Sequence, residues 1–182
     1  SEPSGVPVLA GNYTAVLNYG DQVSKNRITI ENDPRITKSK EASLEIYETL
    51  KEMESIKKVT ANAVKQLVES KKIASIFIDR LSEENKDYHK KSLKECDDII
   101  EKIDTILALY FGKDDKRQGI VRNTPEISVI ERYRNANYYI STRQNGMTRT
   151  EHILLEQAKE ALSKALKLTN EFFESEWINY KL

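Results

Sequence analysis

The sequence predicts a mainly α-helical protein: an up-down antiparallel helical bundle of about four helices, the first very long, with a β-hairpin at its N-terminus. Three observations carry this expectation. Beyond residue 37, apolar residues recur at steps of three and four over most of the chain. Charged residues make up 32% against only six glycines and four prolines, which suits helices with solvated outer faces. Before residue 37 the apolar period drops to two, the period of a strand. The expected organisation is a hairpin over residues 1–36 and a helical bundle over 37–182.

In the first part, Tyr13, Ala15, Leu17 and Tyr19 alternate with Asn12, Thr14, Val16 and Asn18, the pattern of a strand with one buried face. Gly20-Asp21 supplies turn chemistry, a second extended run passes through Arg27 to Glu31, and Asp33-Pro34 stops it. Ordering each residue costs roughly 1–2 kcal/mol in backbone entropy, while a fully buried apolar side chain returns about 1.5–3 kcal/mol. A two-stranded ribbon buries none of its side chains fully by itself. The hairpin therefore either lies on the helices or belongs to a β-domain absent from this chain.

The long helical pattern begins near Ser39 and runs towards Leu81. Its stripe is Ile46, Leu50, Met53, Ile56, Thr60, Ala63 and Leu67, then Ala74, Phe77 or Ile78, and Leu81. It lapses at Ser70-Lys71-Lys72, where a kink or a change of neighbour is expected. The polar run Ser82–Asp87 reverses the chain. A second, antiparallel helix follows on Leu93, Cys96, Ile100, Ile103, Leu107 and Tyr110, and ends at Phe111-Gly112. Lys113 to Pro125 is irregular. A shorter third helix places Ile127, Ile130, Tyr133 or Arg134, Asn137 and Ile140 on one side and closes at Asn145-Gly146. Thr148 and Glu151 have capping-box spacing and open a fourth helix. That helix carries Leu154, Leu155, Ala158, Ala161, Leu162, Ala165, Leu168, Phe172 and Trp177, a face wide enough to touch two neighbours.

Composition narrows the function. Lys plus Arg equals Asp plus Glu, 29 against 29, so no net field recruits nucleic acid or an anionic membrane, and no apolar run is long enough to span a bilayer. The opening Ser1-Glu2-Pro3-Ser4-Gly5 reads as a linker or trimmed boundary, with no signal peptide at Ser1. Cys96, the only cysteine, falls in the second stripe and is expected to be a small buried core residue. His89 and His152 sit on different helices, and the acidic pairs Glu83-Glu84, Asp97-Asp98 and Asp114-Asp115 diverge on a helix surface. Phosphate loops, nucleophile elbows and Glu-x-x-His repeats do not occur. No cofactor, metal or catalytic residue is expected, and the reading is of a protein that is not itself an enzyme.

One segment is locally basic. Between Gly112 and Arg149, eight basic residues (Lys113, Lys116, Arg117, Arg122, Arg132, Arg134, Arg143, Arg149) face four acids, with Tyr133, Tyr138 and Tyr139 interleaved. Arginine with aromatics suits a protein interface and is also an RNA-binding composition. The plainer reading is that these arginines bridge loop carbonyls and acidic neighbours. Arg117, Arg122, Arg132, Arg134, Tyr138 and Arg143 are the candidate interaction surface, with protein the expected partner and nucleic acid not expected.

Ala10-Gly11-Asn12-Tyr13-Thr14-Ala15-Val16-Leu17 resembles the Pro-Gly-x-Tyr-x-Val-x-Leu strand of immunoglobulin-like modules, with Ala10 where proline is usual. Ile28-Thr29-Ile30-Glu31-Asn32-Asp33-Pro34-Arg35 is similar to a strand ending in Asp-Pro-Arg that precedes a helical tail. That order occurs in the C-terminal portions of bacterial secreted sortilin-like proteins, whose N-terminal part is an Asp-box β-propeller often described as a glycosyl hydrolase. Gln118-Gly119, Arg122, Pro125, Arg132 and Gly146-Met147-Thr148 also fit. The resemblance implies a secreted, periplasmic or cell-envelope setting, and a chain that is the tail of a longer protein. It carries over no catalytic residue, since any propeller activity would lie upstream of Ser1. The expected function is thus an accessory domain that packs on its own upstream domains or on another envelope protein. The alternatives are a free-standing helical adaptor that oligomerises, and an RNA-binding module using the segment 117–149.

Overall fold

Gly20 and Asp21 reverse the chain between two nine-residue strands, β1 (Gly11–Tyr19) and β2 (Gln22–Ile30), in a computed structural model that describes residues 5–35, 39–84, 89–112 and 127–181. Gly20 takes a φ of +55°, while no residue other than glycine has a positive φ among those described. A two-residue turn with glycine first matches the natural twist of the strands it joins. The antiparallel register then runs pair by pair from Tyr19–Gln22 to Gly11–Ile30 without a bulge.

Residues directly opposite share a face. Tyr13, Ala15, Leu17, Tyr19, Ile28 and Ile30 therefore lie on one side. Asn12, Thr14, Val16, Asn18, Val23, Lys25, Arg27 and Thr29 lie on the other. The period-two pattern is there, but the burial it was expected to bring is not: Leu17 is 70% exposed and Tyr19 82%. The reason is that the helices close their own stripes. Only the foot of the hairpin meets them: Val6 packs on the core, and Pro7 to Ala10 share a cleft with Ile46, Tyr47 and Leu50.

Four helices follow: α1 (Lys40–Glu84), α2 (Lys90–Phe111), α3 (Val129–Ser141) and α4 (Arg149–Glu171). α4 continues through a π-helical turn, Phe172–Trp177, into a last helical turn, α5 (Ile178–Lys181). At 45 residues, α1 is about 67 Å long at 1.5 Å per residue. It is unbroken at Ser70-Lys71-Lys72. Ser70 is buried there, and Lys71 swings outward to Asp104 of α2, with both carboxylate oxygens within 2.7 Å. Helix α1 also continues through Ser82 and Glu83 to Glu84, and the rest of the expected reversal lies outside the described residues.

Contacts between helices fix three lanes rather than four. Lys71–Asp104, together with Phe77 and Cys96 meeting at Tyr180, sets α2 antiparallel to α1. Gly112 at the end of α2 lies against Ser128 at the start of α3, and Gly146 beyond α3 lies against Ala42 near the start of α1, so α3 continues in the same direction as α2, end to end. Lys102–Glu176 and Arg143–Glu151 make α4 antiparallel to both. Glu45–His152, Glu52–Lys159 and the edge-on rings of Phe77 and Tyr180 make α4 and its extension parallel to α1. The expected up-down bundle is present, with α2 and α3 sharing one lane. A single core runs along it, from Met53, Ala136, Ile140 and Leu155 at one end to Leu67, Ile103, Tyr110 and Phe172 at the other. Each large side chain buried this fully stabilises the fold by about 1.5–3 kcal/mol.

Candidate interaction surface

Residues 113–126 lie outside the described residues, and with them Lys113, Lys116, Arg117, Arg122 and Pro125. The remaining arginines of the basic segment divide between internal bridges and open surface. Arg143, just past α3, donates to Glu151 Oε1 at 2.6 Å, while Thr148 donates to Oε2 through its N–H at 2.8 Å and its hydroxyl at 2.5 Å. This is the expected capping box, extended by a guanidinium from the loop between α3 and α4. The Glu151 side chain has no exposed surface. Arg143 first, and then the Thr148 hydroxyl, hold its carboxyl at about 2 against the opposing effect of desolvation.

Arg132 donates to the side-chain carbonyl of Gln157 and so ties α3 to α4. Tyr133 is half-buried, and burial followed by the neighbouring Glu54 charge raises its phenol pKa. The plainer reading of these residues, bridging and packing, describes them well. Arg134 and Tyr138 differ. They lie one turn apart on the outer face of α3, and Tyr138, 64% exposed, meets the Tyr139 ring edge-on at 5.5 Å. Of the six candidate residues, the structure leaves Arg134 and Tyr138 as open surface one turn apart, and engages Arg132 and the still exposed Arg143 in bridges to α4.

The larger open surface is on the hairpin. Tyr13, Leu17, Tyr19 and Ile28 form one apolar face, all more than a third exposed. Soluble proteins rarely leave such a contiguous face bare unless something binds it. The same alternation is legible in the sequence. Its openness is not, because that depends on whether the bundle needs the hairpin to close its core.

The helices offer little chemistry. A cleft of about 290 Å³ lies where α2, α3 and α4 meet; its Arg132 and Gln157 are already bonded to each other. Among the described residues no three of His, Cys, Asp or Glu gather to hold a metal ion. Cys96 is buried with its sulfur 3.3 Å from the Tyr180 hydroxyl, and burial, reinforced by that thiol, raises the Tyr180 pKa. No described helix is long and apolar enough to cross a membrane.

Two polar groupings were not anticipated. Ser128 accepts from the Glu131 N–H at 3.2 Å as the N-cap of α3, and its Ser-x-x-Glu spacing was a readable signal. Tyr110 and Thr169, fully buried, join hydroxyls at 2.8 Å between α2 and α4. No protein-family model matches the chain, and comparison with curated proteins and with solved structures finds no match either.

Proposed function

We propose that this chain is a non-catalytic interaction domain at the C-terminal end of a larger secreted or periplasmic protein of the sortilin-like, Asp-box propeller kind. In this reading the three-lane bundle is a stiff rod and the hairpin is its attachment. The observation that carries it is the exposed apolar face of a hairpin whose own bundle leaves it uncovered. The strand and Asp-Pro-Arg motifs supply the sortilin-like part of the reading, and the partner is protein, either an upstream domain or another envelope protein. Arg134 and Tyr138 offer a second, smaller contact surface.

The test is to raise an antibody against the bundle and blot fractions of the source cells. The reading expects a band well above 21.0 kDa in the medium, periplasm or envelope. A band near 21 kDa confined to the cytosol would overturn it and favour the free-standing adaptor.

A further inference from the structure

We infer that β1, not β2, is the edge by which the hairpin joins its partner, and that this partner is a two-layered β-sheet domain. The inference rests on the reading of the chain as the interaction domain of a larger protein. A two-residue turn closes on a hydrogen-bonded pair, here Tyr19–Gln22, and bonded and non-bonded pairs then alternate down the ribbon. The backbone groups of Asn12, Thr14, Val16 and Asn18 therefore point away from β2, as do those of Lys25 and Arg27 away from β1. Strand edges left free are ordinarily guarded by lysine, proline, bulges or short length. β2 carries Lys25 and Arg27 at its outward positions. β1 is nine residues long, with no charge, no proline and no bulge. Only β1 has the character of a strand that is paired on both sides.

The geometry also selects the partner. A row of alternating outward N–H and C=O groups is satisfied along its length by another strand, which a covering helix does not provide. A second copy added edge to edge through β1 would satisfy the row but double the bare face of Tyr13, Leu17, Tyr19 and Ile28. A sheet domain of two layers meets both demands: one layer extends through β1 and the other closes the apolar face.

The experiment is residue-resolved amide exchange on the protein as its source cells produce it, compared with the isolated 182-residue chain, with hydroxyl-radical labelling of Tyr19 alongside. The Thr14 and Val16 amides should exchange on the order of 100-fold more slowly in the native protein, while Lys25 and Arg27 stay fast in both. Val16→Pro, which removes an outward donor and leaves the bonds to β2 intact, should restore fast exchange at Thr14; Lys25→Pro should not. Open β1 amides with Tyr19 protected would overturn the edge assignment and leave the interaction-domain reading standing. Open amides with Tyr19 labelled as in the isolated chain would overturn both. Protection of β2 instead, or protection that rises with the concentration of the isolated chain, would also overturn the assignment, the latter by making a second copy the partner.

Discussion

The buried hydroxyl pair between α2 and α4 gives a prediction whose order, as well as its size, follows from the structure. Thr169 Oγ1 bonds the Tyr110 hydroxyl at 2.8 Å and also donates to the Ala165 carbonyl at 2.8 Å. Both side chains are fully buried. Removing the phenol hydroxyl with Tyr110→Phe leaves Thr169 a partner on its own helix, so the cost is about 0.5–1.5 kcal/mol, that of one net hydrogen bond. Thr169→Val keeps the shape but strands the Tyr110 hydroxyl without a partner in the core. That costs about 1–3 kcal/mol, the desolvation of an unsatisfied group. The double variant removes both polar groups and should lie well short of the sum, with a coupling of about 1 kcal/mol. Urea unfolding followed by Trp177, the sole tryptophan and itself buried, reads all four proteins. At an m-value of about 2 kcal/mol/M, Thr169→Val should lower the midpoint by roughly 0.5–1.5 M with m unchanged. Tyr110→Phe costing more than Thr169→Val, or additive effects, would refute the pairing.

Three further outcomes follow. Gly146 has a φ of +91°, and an added Cβ would sit 3.4 Å from both Ala42 Cβ and Glu45 Oε2; Gly146→Ala should cost about 1–2 kcal/mol, read as a drop in melting temperature of roughly 2–8 °C. The Glu151 carboxyl is lowered from 4.5 to about 2. Its contribution is therefore whole above the unfolded value and is lost as pH falls from about 4.5 towards 2. Arg143→Met removes the largest cause and should flatten the loss of stability over that window in acid titrations. Leu17→Ser, at a position 70% exposed, should change the stability of the isolated chain by less than about 0.5 kcal/mol in chemical denaturation.

The helices were legible because each stripe obeys a single period. Met53, Ile56, Ala63 and Leu67 are buried where steps of three and four place them, and Thr148 with Glu151 caps α4 as spaced. The π-turn is written in the same pattern. Phe172 to Trp177 is a step of five, which a regular helix turns away from the core and a π-turn restores to it. Thr169 keeps the spacing between Ala165 and Phe172, but a polar residue there gives no apolar-stripe signal. The sharing of one lane by α2 and α3 was beyond periodicity, since it depends on where the chain re-enters after Gly112 rather than on any stripe. Arg132 and Arg143 count equally with Arg134 in composition; only the positions of Gln157 and Glu151 separate bridge from surface. The hairpin's strands, turn and apolar side were all readable. The openness of that side was not, because it depends on the bundle closing its own core without the hairpin.

Hydroxyl-radical footprinting of Tyr13, Leu17 and Tyr19 therefore tests the account most directly, comparing the isolated chain with the protein as its source cells produce it. Strong labelling of all three in the isolated chain, falling sharply in the native protein while the exposed Phe111 of α2 labels equally in both, is the predicted result. Equal labelling of the hairpin in both would mean that its apolar face has no partner, and the interaction-domain reading would be contradicted.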